Sequence, residues 1–213
     1  MAPPPRTPPP AQPTAVADAR FGCGYPGPHR AEPDSTDALE RALDDSVVTC
    51  IRLAPVVYAL LSKLFVPDGR TLAIVADDGQ ATLDGGGSIG PILTFVSGAD
   101  VVLANLRLRN GNCTDCNGGA VFNNKGTMVM HTCTFDGNHA ASSGGAVYSD
   151  QGTMVMRSCT FDGNHAAQSG GAVSMAAAPV SMAVHDCTFT DCSAEVLPCP
   201  SPAPPSACDG TLG

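Results

Sequence analysis

Tryptophan is absent from the 213 residues, and aromatic residues make up only 5% of them. Large aromatic side chains usually fill the thick core of a globular enzyme, so their scarcity favours a turn-rich fold with a thin core. Basic residues are also few, since 11 lysines and arginines stand against 20 acidic residues and the net charge is −9. Nucleic acids are bound by clustered basic side chains, so we expect no nucleic-acid partner.

A long apolar run is missing as well. The nearest candidate, residues 47–66, is interrupted by Arg52, Pro55 and Lys63, so we expect no membrane span. Prolines follow Met1 where a secretory signal would carry a basic start and an apolar stretch, and no such signal is visible.

Prolines are concentrated at the two ends of the chain. Ten of the 19 prolines precede Asp34 and five follow Leu197. Such composition is typical of unpacked polymer. We therefore predict a disordered Pro-rich leader over 1–33, a folded domain over 34–192 and a Cys- and Pro-rich tail over 193–213.

One string of residues occurs twice. Residues 126–147 read GTMVMHTCTFDGNHAASSGGAV and residues 152–173 read GTMVMRSCTFDGNHAAQSGGAV, a step of about 26 residues. A looser third copy continues through Cys187 and Phe189. A period of this length is typical of a solenoid, in which each repeat buries its apolar side chains only against its neighbours.

Within each copy the apolar residues alternate with period two, which predicts strands and not helices. The phase shifts at His131 and Thr132, where we expect a corner. Short strands separated by corners describe one rung of a parallel β-helix. Rungs stack about 4.8 Å apart, so equivalent side chains are expected to lie over one another inside the coil. The predicted core stack is Met128, Met130, Cys133, Phe135, Met154, Met156, Cys159, Phe161, Cys187 and Phe189.

Residues 35–45 predict a short capping helix. Ser35 suits the N-cap position, and an apolar face is formed by Leu39, Ala42 and Leu43. An amphipathic helix ahead of the repeats is well placed to cover the open end of the first rung. The sequence shows no second cap, so we expect the edge of the last rung to be exposed.

Several motifs follow the predicted helix in a distinctive order. They are TLDGGG at 82–87, LRLRNG at 106–111, GGAV at 118–121, 144–147 and 170–173, and FDGN at 135–138 and 161–164. This order resembles right-handed parallel β-helix proteins of the pectin-lyase-like superfamily. GGAV and FDGN also resemble the GGA[I/L/V] and FxxN repeats of chlamydial-type polymorphic outer membrane proteins, although the last copy lacks the Asn.

The resemblance covers about residues 35–192. It implies an all-β fold, a right-handed parallel β-helix of about six rungs with a short N-terminal capping helix. It also implies a location outside the cell or on its surface.

The ten cysteines allow more than one role. We interpret the three in the core stack as small buried hydrophobic residues and not as disulfide or metal thiolates. Cys23 lies in the leader with no cysteine nearby to pair. Cys113 and Cys116 lack a second such pair or a neighbouring His pair, which argues against zinc and leaves a loop disulfide open. The disulfide candidates are Cys113, Cys116, Cys192, Cys199 and Cys208.

The repeated Asp, Asn and His of FDGNH are expected to form a ladder on one outer edge of the coil. Two carboxylates one rung apart would lie near the separation in retaining glycosidases, about 5–5.5 Å. An acid and base pair needs unlike environments, however, and a repeat supplies like ones. We interpret the ladder as turn residues facing water, with Ca²⁺ binding as the alternative and no other cofactor. Its members are Asp136, Asn138, His139, Asp162, Asn164 and His165.

The favoured function is a non-enzymatic, monomeric β-helix module that presents stacked polar loops to a glycan or a protein, as an adhesin does. This interpretation depends on fold resemblance, and a fold does not dictate a function. One alternative is a carbohydrate-active enzyme of the same superfamily, a polysaccharide lyase or a glycoside hydrolase. Such enzymes would imply an acidic calcium cluster or a Gly-His-Gly motif; residues 77–79 are the nearest acidic group, and no Gly-His-Gly occurs. The other alternative is a truncated, inactive fragment of a longer β-helix protein.

Overall fold

Short strands wind into a coil of about 5 turns. This computed structural model describes residues 23, 30–76, 79–95, 97–176 and 181–195. Equivalent strands of successive turns pair in parallel and form four sheets of seven, six, five and four strands. The predicted all-β fold, a parallel β-helix, is therefore confirmed.

The elements follow the turns in chain order. The chain enters through β1 (Arg30–Ala31) and the helix α1 (Thr36–Asp44). The first two turns contain β2 (Cys50–Leu53), β3 (Val57–Ala59), β4 (Leu64–Val66), β5 (Thr71–Ala76), β6 (Ala81–Asp84) and β7 (Leu93–Phe95). The next two contain β8 (Asp100–Ala104), β9 (Leu106–Arg109), β10 (Asn112–Cys113), β11 (Val121–Asn124), β12 (Thr127–His131), β13 (Thr134–Asp136), β14 (His139–Ala140) and β15 (Val147–Asp150). The remainder contains β16 (Thr153–Arg157), β17 (Thr160–Asp162), β18 (His165–Ala166), β19 (Val173–Ala176), β20 (Ser181–His185), β21 (Thr188–Thr190) and β22 (Ser193–Ala194).

The sheets run along the axis of the coil. Their orders are β1-β2-β5-β8-β12-β16-β20, β3-β6-β9-β13-β17-β21, β4-β7-β11-β15-β19 and β10-β14-β18-β22. The turn that begins at β20 has no strand in the five-stranded sheet within the described residues. This incomplete last turn accounts for the difference from the six rungs predicted.

Inward side chains of successive turns lie over one another. Met128 is in register with Met154, and the rings of Phe135 and Phe161 stack with centroids 4.8 Å apart, the spacing of parallel strands. Eight residues of the predicted core stack are at most 1% exposed, namely Met128, Met130, Cys133, Phe135, Met154, Met156, Cys159 and Phe161. The other two, Cys187 and Phe189, belong to the last turn and are half-buried.

One corner of the coil is made in the same way in four turns. The residue between the seven-stranded and the six-stranded sheet has a left-handed backbone, with φ between 51° and 57°. These residues are Asn105, Thr132, Ser158 and Asp186. A left-handed residue turns the chain sharply, so the phase of inward side chains restarts in the next strand. Thr132 lies where the sequence predicts a corner.

The helix α1 covers the first turn. Its N-cap is Ser35, whose Oγ accepts a hydrogen bond from the backbone N–H of Ala38 at 3.3 Å. Its apolar face is buried and packs beside β4, and that face comprises Leu39, Ala42 and Leu43. The predicted capping helix is therefore confirmed to within one residue at either end.

The prediction for the leader needs two corrections. Arg30 begins β1, which pairs in parallel with β2, so the sheet starts before residue 34. Cys23 is bonded to Cys50, with Cα atoms 5.4 Å apart, although we predicted that it had no partner. The reason is that Cys50 lies on the outer face of β2, away from the main core. The rest of 1–29 and residues 196–213 lie outside the described residues, and the domain boundaries stay a prediction.

Candidate functional site

An open groove of about 420 Å³ lies at the corner between the six-stranded and four-stranded sheets, within the size range of ligand sites. The equivalent corners of three successive turns line this groove, which we call the corner groove. Its lining residues are Asp84, Gly86, Gly87, Asn110, Gly111, Asn112, Gly137 and His139. A side chain at Gly111 would collide with the carbonyl oxygen of Gly119, which lies between β10 and β11 of the same turn. Glycine therefore lets two backbone segments of this turn approach each other closely beneath the groove.

Asp84 is the most fully engaged polar residue of the corner groove. Its Oδ1 accepts hydrogen bonds from the backbone of Gly86 at 2.9 Å and from Asn110 Nδ2 at 3.0 Å. Its Oδ2 accepts from Arg109, with Nε at 2.9 Å and Nη2 at 2.8 Å. Burial acts to raise the pKa of the Asp84 carboxyl, but these hydrogen bonds and the guanidinium outweigh it and hold the pKa below its ordinary value. Asp84 is thus a carboxylate that its hydrogen bonds and its ion pair hold in one position.

A row of charged side chains continues from Asp84 across the outer face of the six-stranded sheet. Asp84, Arg109, Asp136 and Asp162 are in register in successive turns. Asp136 forms an ion pair with Arg107 of the preceding turn. Arginines therefore engage the first two carboxylates of the row. Neither arginine was predicted as a site residue, although their period-two spacing in LRLRNG placed them on an outward face.

A second row of polar side chains follows the four-stranded sheet beside the groove. His139 Nδ1 lies 3.2 Å from Asn112 Oδ1 in the turn before. The rings of His139 and His165 stack with centroids 5.2 Å apart, and His165 Nδ1 lies 3.0 Å from Ser193 Oγ. This row presents hydrogen-bonding groups at intervals of one turn.

Two members of the predicted outer ladder lie inside the coil, which corrects that prediction. Asn138 is 1% exposed and Asn164 is 0% exposed. Asn164 Oδ1 accepts hydrogen bonds from the backbone N–H and the Nδ2 of Asn138, at 3.1 and 2.9 Å. Asn164 Nδ2 donates to the carbonyl of Phe135 at 3.0 Å. The amides turn inward because they satisfy polar groups that the corner leaves without a strand partner.

The other four members of the ladder, Asp136, His139, Asp162 and His165, are not fully buried. They do not form a cluster of three ligands with one another. Among the described residues, the group of three His, Cys, Asp or Glu with ligand atoms close enough to share a metal ion is Cys113, Asp115 and Cys116. Binding of Ca²⁺ by the ladder stays the alternative interpretation.

The predicted disulfide candidates divide into three cases. Cys113 and Cys116 are bonded to each other, with Cα atoms 5.3 Å apart. Cys192 carries a free thiol and occupies the place of the ladder asparagine, since Asn164 Nδ2 lies 3.7 Å from its sulfur. The sequence signal was the spacing Phe-x-x-Cys in place of Phe-x-x-Asn. Cys199 and Cys208 lie outside the described residues.

The cysteine column in the core consists of thiols. Cys133 and Cys159 are 1% exposed and free. A hydrogen bond with Cys133 and then burial raise the pKa of the Cys159 thiol. A buried neutral thiol is inert, and Cys187 at the end of the column is free and half-buried. The column therefore offers no reactive thiolate at Cys159.

A comparison with protein families places the groove in a known fold. The family model described as "Right handed beta helix region" matches residues 75–197, which is more than half of the chain. The chain belongs to the right-handed β-helix family. In this β-helix, every residue that lines the corner groove lies within the matched range. The match does not address the outer membrane protein repeats, and that resemblance stays a prediction.

No curated protein matches this β-helix chain. Among its described residues, no helix has the length and apolar character needed to cross a membrane.

Proposed function

We propose that this β-helix is a non-enzymatic module, displayed outside the cell or on its surface, that binds a neutral glycan in the corner groove. One observation carries the non-enzymatic part of the proposal. Asp84 in the groove has a lowered pKa and is held by Arg109. An acid catalyst of glycoside cleavage needs a carboxyl group with a raised pKa beside a second one in an unlike environment.

The groups around the groove favour a glycan. Asn110, Asn112 and His139 supply amide and imidazole groups. Equivalent positions recur about every 4.8 Å along the coil, which suits an extended ligand rich in hydroxyl groups. The net charge of −9 repels polyuronides, so a neutral polymer is favoured over an acidic one.

The disulfides support the proposed location. Cys23 is bonded to Cys50 and Cys113 to Cys116. Disulfides persist in the oxidising surroundings of secreted and surface proteins and are rare in the reducing cytosol.

The proposal is tested by titrating the protein with neutral glucans, xylans and mannans and with polygalacturonate, in parallel with an assay for cleavage products. We expect saturable binding to a neutral glycan and no product. New reducing ends would identify a hydrolase, and unsaturated products would identify a lyase. Binding of unmodified peptides in place of glycans would identify a protein-binding module.

His139→Ala locates the binding site. The change removes one hydrogen-bonding group from the groove, and we expect glycan affinity to fall about five- to tenfold, the worth of one net hydrogen bond. His185→Ala is the matched control, because His185 is exposed on β20 of the seven-stranded sheet. Equal affinities of the two variants would place the ligand elsewhere.

A further inference from the structure

The corner that follows β10 differs from the same corner in the next two turns. Cys113 is in register with Ala140, and Ala140 with Ala166. Residues 140–143 read AASS and residues 166–169 read AAQS, whereas residues 113–117 read CTDCN. The repeat thus builds a corner at this place that is one residue shorter from Ala, Ser and Gln, without cysteine or aspartate.

Three of these residues form a compact set of metal ligands. One ligand atom from each of Cys113, Asp115 and Cys116 lies within 4.8 Å of the other two. Tetrahedral Zn²⁺ with Zn–S distances of about 2.3 Å separates its sulfur ligands by about 3.8 Å, so the two sulfurs must move apart after reduction but stay within the span of the set. Thiolates favour Zn²⁺ over Ca²⁺, which takes oxygen ligands.

The loop is anchored at both ends independently of its disulfide. The Cys113 carbonyl accepts a hydrogen bond from the backbone N–H of Ala141 at 2.8 Å. Asn117 Oδ1 accepts one from the backbone N–H of Ser143 at 3.0 Å. Breaking the sulfur–sulfur bond therefore leaves the ligands in place. Asp115 is exposed and Cys116 is half-buried, so the loop is open to solvent on their side, whereas Cys113 is buried.

The bond between Cys113 and Cys116 contributes little to the stability of the fold. In the chain-entropy model, a disulfide stabilises a fold by lowering the conformational entropy of the unfolded chain, and the effect grows with the length of the closed loop. Here the sequence separation is 3, against 27 for Cys23 and Cys50. The Cys-x-x-Cys spacing is instead the one found in dithiols that exchange with other thiols.

We propose that this loop, once reduced, binds one Zn²⁺ through Cys113 Sγ, Cys116 Sγ and a carboxylate oxygen of Asp115, with water as the fourth ligand. A dithiol reductant supplies two electrons and two protons, so the disulfide becomes two thiols while the reductant becomes a disulfide. Zn²⁺ then displaces one proton from each thiol. Disulfide and metal exclude each other because they use the same two sulfurs. The proposal does not rest on glycan binding.

The test uses the full chain, reduced and then freed of reductant under nitrogen. Co²⁺ is titrated first, because thiolate ligands give cobalt a charge-transfer absorption in the near ultraviolet, and Zn²⁺ is then added to displace it. We expect one Co²⁺ per chain with that absorption, complete displacement by Zn²⁺, and no such signal from the oxidised protein. Absence of a stoichiometric thiolate signal in the reduced protein would overturn the proposal.

Two variants and one control assign the ligands. Cys116→Ser is expected to lose most of the charge-transfer signal. Asp115→Asn is expected to keep the signal and to bind Zn²⁺ about tenfold more weakly or worse, since even indirect partners of a metal are worth 10–100-fold. Cys192→Ser, which removes a free half-buried thiol outside the loop, is expected to bind as the parent does. All three retain Cys23, Cys50, Cys199 and Cys208, so the thiols of these four residues contribute equally after reduction.

Two results would contradict the assignment. Equal signals from Cys116→Ser and the parent would place the metal on other thiols. Equal affinities of Asp115→Asn and the parent would exclude the carboxylate as a ligand. Far-ultraviolet circular dichroism of each reduced variant shows whether the coil is intact, so that loss of metal is not mistaken for loss of fold.

Discussion

At the scale of single residues, Asn138 and Asn164 join neighbouring turns through their side chains. Asn138 Oδ1 accepts from the backbone of Gly111 in one turn, while its Nδ2 donates to Asn164 Oδ1 in the next. A buried donor or acceptor without a partner costs about 1–3 kcal/mol, more than the net gain of a typical hydrogen bond. The asparagine ladder therefore contributes to stability mainly because it gives partners to buried polar groups that would otherwise have none.

Asn164→Ala tests this ladder. The change leaves the backbone N–H of Asn138 and the carbonyl of Phe135 without their partner, and we expect the free energy of unfolding to fall by about 2–3 kcal/mol. Urea denaturation followed by circular dichroism measures it. The control is Asp162→Ala, two residues away and exposed, with an expected change within about 0.5 kcal/mol. Similar losses of stability in both variants would show that the Asn164 amide contributes no more than an exposed side chain does.

At the scale of elements, a buried arginine ties the capping helix to the sheet. Arg70, 8% exposed, precedes β5. Its Nη1 donates to the carbonyl of Leu43 in the last turn of α1 at 2.9 Å, and its Nη2 donates to the carbonyl of Val48 at 2.7 Å. The last carbonyls of a helix have no partner within the helix, so Arg70 completes α1 from outside.

Arg70→Met is the corresponding variant. It keeps most of the side-chain length but removes both donors, and we expect the free energy of unfolding to fall by about 2–4 kcal/mol because two carbonyls lose their partners. Arg70→Lys is expected to recover only part of the loss, since one ammonium group does not reproduce the two-pronged geometry. The comparison is Arg41→Met on the exposed face of α1, expected to change stability by about 0.5 kcal/mol or less. A Lys variant as stable as the parent would contradict the two-donor role.

At the scale of the whole molecule, the coil is packed unevenly along its axis. Met154 in β16 is 0% exposed, whereas Met182, its register partner in β20, is 38% exposed. Each turn of a solenoid is stabilised by its own residues and by the turns on either side. The first turn is covered by α1, and the described part of the last turn leaves its inward residues half-buried.

Hydrogen exchange should therefore follow the axis. We expect amides of β20 and β21 to exchange about tenfold faster or more than those of β12 and β13, because local opening costs less where fewer apolar contacts are lost. The two pairs of strands occupy the same sheets, so strand type is matched. Native-state exchange read by mass spectrometry of peptic fragments gives the rates. Uniform protection along the coil would show that it opens as a single unit.

The sequence by itself determined the fold and its repeating core. Apolar residues at every second position decide which side chains of a strand face inward, and an exact repetition requires each turn to meet the next in register. On these grounds the sequence alone places the core residues Met128, Met154, Phe135 and Phe161. It also places α1, because the cap and the apolar face of a helix are local features. Such signals span only a few residues, so they can be recognised without knowledge of the rest of the molecule.

The tertiary structure alone decided the contacts between residues that lie far apart in the sequence. Period two does not extend around a corner, so it could not show that Asn138 turns inward while Asp136 stays outside. Nor could it bring Arg109 to Asp84, Arg70 to α1, or Cys23 to Cys50. These pairs are joined by charge, hydrogen bonding or a covalent bond across about 25 residues or more, and their partners are set by the pitch of the coil. The candidate site consists of such contacts, and for that reason the sequence predicted the coil better than the groove on its surface.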